Sequence, residues 1–447
     1  MKNLIFISFV FLLLSCKGDS QKKETKQETK QDSEWFSIEL AENLSDVTTD
    51  QKPYSSFVKN IEYIPLETTS ESFIGGGPYG ILQHTVTKKV IVVDMKIFSR
   101  KDGRYIGNLL SRGQGPEEYL DVSCVIANDE REEFYLFDTH KKLLHTVGYD
   151  NSYKKNEVWV RDWLLKYFLL KNGNLLIGRS QDLNAPNGLD GPDGIEGLNS
   201  LDDFQIINID TKKVLSRRRS SALTNLENLE DCKHIIKYPK RNYHIALGEN
   251  LYWKYKDNIR YYDYLTDSIF SIDKNMKVKP IGTLGFEKLK LTGDQWCTPH
   301  SRRSVPSWTI KNISETSDEI LISFFSLKGG KKMMRALYSL IYSKVNKTTK
   351  IIMQGDKAKP MNRLPMYVLQ PSPYLNDLDN RIVFSPTNVT QNESAYYDFI
   401  SAESIKELVE EKGASAYTTE KEKAFKAMAD TLKFDDNEVV GILHVDW

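Results

Sequence analysis

Short apolar or alternating runs recur along this chain with turn residues between them, and that recurrence excludes most architectures. VIVVDM (90–95), KDGRYIGNLL (101–110), EFYLFD (133–138) and LLHTVGYD (143–150) are followed by FLLKNGNLLIGRS, FQIINIDTKKVLS, ENLYWKYKDNIRYYD and DSIFSIDKNMKVKPIG. Each reads as a strand, a turn of Asp, Asn, Gly or Lys, and another strand. Asp102-Gly103 and Asn172-Gly173 are pairs that accept positive φ in tight hairpins. The pattern predicts an antiparallel, all-β protein.

About 410 residues from Trp35 to Trp447 share this texture, more than one ordinary core holds. Radial repetition of four-stranded sheets scales with length and protects edges. At roughly 45–65 residues per blade, length alone allows six to eight blades of a β-propeller. One stretch departs from the pattern, about 401–432. Ser404 to Glu407 reads as a capping box, followed by Leu408 and Val409 and ended by Gly413. Thr419 to Glu422 is a second, with Phe425, Met428, Ala429 and Leu432 at helical spacing. Two short helices are expected there. The terminal run Val439 to Val445 is expected to join the sheet begun at Val58 to Pro65 and close the ring.

The front of the chain is different. Leu4 to Leu14 is apolar except for Ser8, too short to span a bilayer, which takes about 20 residues, and fits a signal-peptide core. Leu13-Leu14-Ser15-Cys16 resembles the bacterial lipobox. That resemblance implies removal of residues 1–15 and lipid chains on Cys16, a membrane partner held without a spanning helix. Residues 17–34 contain no Val, Ile, Leu, Phe, Tyr or Trp and cannot offset their ordering entropy by burial. They are expected to be a tether reaching about 20–25 Å, which leaves 35–447 as the propeller domain.

Charge offers no nucleic-acid signature: 61 basic side chains face 61 acidic ones, and Arg217 to Arg219 is the one dense basic spot. Apart from Cys16 there are Cys124, Cys232 and Cys297, an odd number without CxxC spacing, so neither a disulfide framework nor a zinc site is written here. The seven histidines form no HExxH, and no G-x-S-x-G is present. No cofactor, metal or catalytic residue is therefore assigned.

Phe57 to Glu67, Ser111-Arg112-Gly113-Gln114-Gly115-Pro116-Glu117-Glu118-Tyr119, Asp267 to Ile272 and Asp435 to Val440 together resemble a family of six-bladed β-propeller lipoproteins of Gram-negative envelopes. In that family the last segment more often has proline where Glu438 stands. The resemblance implies six blades and an outer-membrane location, periplasmic or surface-facing. It brings no reaction and no catalytic residues.

Three stretches are candidate sites. The 113–118 loop offers Gln114, Glu117 and Glu118 to ligand hydroxyls, or is an architectural turn anchored by Tyr119. Tyr252, Trp253 and Tyr255, within a tyrosine-rich stretch from 238 to 264, form either a sugar-stacking platform or blade core. The Asp- and Gly-rich loop 182–203 could wrap Ca²⁺ or be a plain surface loop. The functional expectation is a lipid-anchored envelope protein whose propeller binds a glycan or a partner protein, in the context of nutrient uptake. Two alternatives stand beside it: a propeller hydrolase or lyase acting on polysaccharide or peptide, and a structural accessory of an outer-membrane complex.

Overall fold

Turn chemistry sets the strand ends. Gly103 (φ +70°) and Gly173 (φ +74°) take the left-handed conformation at the two expected hairpin sites. Asn151 does so too, and so do Lys142, Lys212, Lys256 and Lys347, where a Cβ adds about 1–2 kcal/mol of strain. The lysine turns carry no glycine to announce them.

The computed structural model describes residues 35–75, 84–159, 165–170, 173–179, 202–219, 251–264, 266–289, 307–328, 334–354, 374–378, 388–390, 394–413 and 417–446. The lipobox and tether, Cys232, Cys297 and residues 182–201 of the candidate calcium loop lie outside the described residues.

Six sheets follow one another as antiparallel meanders. Blade 1 consists of His84–Val86, Val90–Val93, Lys96–Ser99 and Tyr105–Asn108, hydrogen-bonded in that order. The same order recurs in blade 2 (122–158), blade 3 (165–219), blade 4 (251–283) and blade 5 (307–354). Blade 6 is assembled from both ends of the domain: Asn388–Val389, Ala395–Ile400, Val439–Val445 and then Val58–Pro65 outermost. The first strands of blades 1, 2 and 3 touch in sequence, as do those of blades 4 and 5, so each blade's first strand lies at the axis. The protein is a six-bladed β-propeller.

Its core is divided accordingly into six apolar clusters, one per seam. Val92 and Ile97 meet Val122 and Leu136 between blades 1 and 2. Val86, Ile91 and Phe98 meet Tyr397, Val440 and Ile442 between blades 6 and 1. Alternation along each strand sends successive side chains to opposite seams, so every blade is apolar on both faces.

The expected ring closure is present. Val439–Val445 pairs with Ala395–Ile400 on one side and with Val58–Pro65 on the other. Two polar contacts lock the seam beside it. Arg100 of blade 1 grips Glu62 with both terminal nitrogens, at 2.6 and 2.8 Å, and His444 Nε2 lies 3.2 Å from the same carboxylate. Gly103 packs so tightly on the outer strand of blade 6 that a Cβ would stand 1.8 Å from the Pro65 carbonyl oxygen. Asn437, buried just before the last strand, accepts from the Ile74 amide and donates to the Glu67 and Ser72 carbonyls. That set of bonds is the structural reason for Asn437 in the terminal motif.

The segment before blade 6 was not foreseen. It runs as a strap along the outer edges, adding parallel strands at Phe36–Ser37 to blade 4 and at Val47–Thr48 to blade 5. Lys52–Pro53 then pairs with Tyr374–Leu375. The expected helices are α1 (Ala402–Lys412) and α2 (Glu420–Thr431). The reading of Ser404 as the first cap is corrected: Ser401 is the N-cap and accepts from the Ser404 amide, because α1 starts a turn earlier. The Thr419–Glu422 capping box forms as expected.

Glu62 is held at about 2, first by the hydrogen bond from His444 and then by Arg100. A carboxylate with a depressed pKa contributes stability above its unfolded value near 4.5 and loses it as pH falls toward 2. Glu62→Gln is therefore expected to lower the melting temperature at pH 7 and to flatten the loss of stability between pH 4.5 and pH 2, as read by thermal melts across that range.

Candidate functional site

The two ends of the ring are unequal. In a four-strand meander the first and third turns emerge on one face, and the second turn and the link to the next blade on the other. On the first face no connection exceeds five residues, the longest including 100–104, 209–213 and 273–277. On the second, the strand ends bound connections 66–83, 109–121, 180–201, 220–250, 284–306, 355–387 and 401–438. The helices and the 111–119 loop belong to this long-connection face.

The 111–119 loop is largely self-satisfied. Tyr119 N donates to Ser111 O, Gly113 N donates to Tyr119 O, and the Glu118 carboxylate accepts from Gly115 N at 2.6 Å. Lys141 of blade 2 donates to the Gly115 and Glu118 carbonyls at 2.7 and 2.6 Å. A Cβ on Gly113 would stand 2.1 Å from the Glu118 carboxylate. Glu118 is thus engaged in building the loop, while Gln114 and Glu117 are exposed at its tip.

The aromatic candidates divide. Trp253 and Tyr255 are each 4% exposed. The Trp253 indole donates to Glu315 at 2.9 Å, and Tyr255 lies under the Lys344 ammonium and the Arg260 guanidinium, 4.1 and 5.0 Å from its centroid. Glu315 also binds Arg260 and Lys344. These rings are walls of a buried ion cluster joining blades 4 and 5, and neither is open to stack on a sugar in this arrangement. Tyr252 is half-buried on the innermost strand of blade 4, stacked on Tyr261 and close against Gly178 of blade 3. The loop tip and the aromatics sit on different blades, and the fold does not bring them together.

Residues that sequence reasoning passed over lie along the second strand of blade 6, Ala395–Ile400. The described inner strand of blade 6, Asn388–Val389, pairs only with Tyr397 and Tyr396. Among the described residues, Asp398, Phe399 and Ile400 extend beyond that pairing, and the first two are half-buried. On one flank, blade 5's inner strand has a bulge whose extra residue is the exposed Lys311. A bulge re-aims a side chain out of the regular alternation. On the other flank stands His84, first residue of blade 1's inner strand. Its Nδ1 is 3.0 Å from the Tyr397 hydroxyl, and its ring lies edge-on to Phe399 at 5.2 Å. The Cys124 thiol of blade 2 lies near the same tyrosine.

Alternation turns Asp398 to the blade-5 side, with Lys311, and Tyr397 and Phe399 to the blade-1 side, with His84. Burial raises the Asp398 carboxyl from 3.8 to about 6, against a smaller pull from the Phe399 amide and Lys311. Burial also pushes Tyr397 up. The one signal available beforehand was an aspartate inside the apolar run AYYDFI, a placement that costs stability unless the charge is paired and hydrogen-bonded. Among the described residues no group of three or more His, Cys, Asp or Glu is placed to hold a metal ion. A separate groove of about 230 Å³ lies between α2 and the outer strand of blade 6, lined by Ile61, Tyr63, Phe425 and Met428.

A family model described as "Domain of unknown function (DUF4934)" matches residues 36–444. Among solved structures, the chain is similar to a "Putative exported protein" of Bacteroides fragilis, at 12% identity and a TM-score of 0.54, covering 90% of this chain and 98% of that one. It is more weakly similar to a member of the duf4221 family from Bacteroides vulgatus (TM-score 0.37, 10% identity, 66% and 84% covered). Virginiamycin B lyase of Staphylococcus aureus follows (TM-score 0.30, 9% identity, 68% and 90% covered). Only the first of these likenesses is strong enough to speak for the fold. No curated protein matches.

A carboxyl whose folded pKa is raised makes the ionised form the unstable one, so stability falls as pH rises from about 4 through about 6. Asp398→Asn is expected to raise stability at pH 8, by at most about 3 kcal/mol for a shift of about two pKa units, and to change it little at pH 4. Chemical denaturation at the two pH values measures this.

Proposed function

We propose, for a chain that belongs to the DUF4934 family, that it is an exported envelope protein anchored by lipid at Cys16, whose propeller binds a glycan or a partner protein on its long-connection face. The single observation that carries the binding reading is the inequality of the two ends. Every connection longer than five residues leaves one face, where loops are free to vary while the sheets hold position. The opposite face is trimmed to tight turns. Export is supported by the fold shared with the "Putative exported protein" of Bacteroides fragilis, and the lipid anchor by Ser15-Cys16 after the apolar run. Among the described residues no helix is long and apolar enough to cross a membrane. The tether and its 18 residues then supply the reach, with residues 35–447 held clear of the headgroups.

A second reading, a hydrolase or lyase on polysaccharide or peptide, is favoured by one observation. Asp398, on the second strand of blade 6, is raised by burial to about 6, which puts its proton exchange near neutrality.

Cys16→Ala is expected to move the protein from the membrane to the soluble fraction after cell lysis; an unchanged distribution counts against the anchor. For the binding face, the full chain in mild detergent is used to capture partners from solubilised membranes and glycans from an array. The double variant Gln114→Ala with Glu117→Ala is expected to weaken capture several-fold, while Lys256→Ala with Lys347→Ala on the short-turn face leaves it unchanged. Equal loss from both pairs would remove the distinction between the faces.

A further inference from the structure

We propose that His145, enclosed beneath the 111–119 loop, is an acid-operated latch: while neutral it lets the loop lie closed on blade 2, and on taking a proton it releases it. This rests on the reading that the long-connection face binds, because Gln114 and Glu117 stand exposed at the tip of that loop.

His145 lies on the third strand of blade 2 with no exposure, and neither ring nitrogen has a hydrogen-bond partner among the described residues. A buried polar group left in that state costs stability, and a charged one costs more. Strand register shows what covers it. Leu136 on one neighbouring strand and Asn156 on the other are directly opposite His145, so the three side chains share the face turned to blade 1. Leu136 packs there with Leu109, Leu110 and Tyr119, the residues at the two ends of the loop. Asn156 donates to the Pro116 carbonyl in the middle of the loop at 2.6 Å, and the Tyr153 hydroxyl donates to the same oxygen at 3.4 Å. The Tyr153 ring lies 6.2 Å from the imidazole. Lys141 holds the Gly115 and Glu118 carbonyls, and the Leu120 amide donates to Asp138 at 2.7 Å. The loop is thus clipped over this face by a few polar bonds.

The surroundings leave an imidazolium unserved. Asp138, on the same face, already accepts from the Leu120 and Lys141 amides, and Lys141 carries like charge. Within the loop Glu118 accepts from the Gly115 amide, while Arg112 and Glu117 are exposed. Blade 1 presents Val92 and Ile97, with Asp94 exposed at its turn. Tyr149 of the same seam is bonded to Asp129. Burial accordingly holds the imidazole below its usual value, with Asp138 opposing and Lys141 adding to the effect. An imidazolium has two N–H donors that need acceptors or water. The strands beside His145 are tied by continuous backbone pairing, so lifting the loop is the smaller motion that admits water. The closed loop is fully favoured above the ordinary histidine value of 6.5, and each pH unit below it favours the open form by up to about tenfold until the closed form itself takes the proton. His140, exposed in the turn before this strand, is a second imidazole nearby and serves as the control.

The test is hydrogen exchange on the full chain in mild detergent at pH 7.5 and pH 5.5, with rates corrected for intrinsic chemistry and read by mass spectrometry on peptides covering 109–121 and 133–138. Wild-type loop amides are expected to lose protection about tenfold at pH 5.5 while strand 133–138 keeps its own. His145→Leu and His145→Gln, uncharged at both pH values and differing in size and polarity, are expected to keep the loop protected, and His140→Gln to behave as wild type. Equal wild-type protection at both pH values overturns the latch, and so does loss from strand 133–138 together with the loop. It is also overturned if both His145 variants lose protection as wild type does, or if His140→Gln abolishes the loss. Exchange needs no ligand, so these outcomes leave the binding reading to the capture experiment, and a loop that opens with acid while its tip variants capture normally counts against the binding reading alone.

Discussion

One strand holds this ring together. Val439–Val445 has backbone partners on both sides, Ala395–Ile400 from just before the helices and Val58–Pro65 from the other end of the domain. A propeller blade buries apolar side chains on both faces, so a blade lacking its neighbour exposes two clusters at once. Circular closure removes that exposure everywhere, and here it depends on strands some 380 residues apart finding each other. The contacts around the joint are dense for that reason. Glu62 is clamped by Arg100 and His444, Gly103 permits backbone contact where any Cβ would collide, and Asn437 ties the start of the last strand to the following connection. The edge strap adds short parallel pairings to blades 4 and 5, so the chain grips several blades before closing the sixth.

Closure also explains why the two faces can differ. Once the sheets are fixed by their neighbours, a connection contributes little to holding a blade in place, and its length costs only slowly growing closure entropy. The face with turns of five residues or fewer is where ion pairs join adjacent blades, as between Arg131 and Asp210 or Lys89 and Glu132. The other face is free for insertions, including a pair of helices that packs its own apolar residues, Ile405, Phe425 and Leu432, into the seam of blades 5 and 6.

Two carboxylates differ in how their charge is compensated. Glu315 has no exposure and sits among two cations and an indole donor, the condition under which a buried charge is tolerated. Asp398 accepts from the Phe399 amide at 2.9 Å with less compensation around it, and burial raises its carboxyl to about 6. Residue identity does not separate them; the number and geometry of surrounding donors does.

The strand and turn rhythm, the helical interruption and the pairing of the last strand with Val58–Pro65 were all legible in the amino-acid order, because periodicity, capping and turn preference are local. Tyr252, Trp253 and Tyr255 were visible as an aromatic run, but local pattern cannot say that two of the three would be walled into the ion cluster joining blades 4 and 5. Glu118 looked like a ligand group and proves to bond its own loop. The edge strap was illegible because two-residue parallel strands leave no periodic trace. The contact of His84 with Tyr397 was equally so: the two are separated by 313 positions and meet only because blades 6 and 1 are neighbours in a closed circle. Order along the chain determined the blades; only the closed ring, which makes its first and last blades touch, decided which side chains share a site.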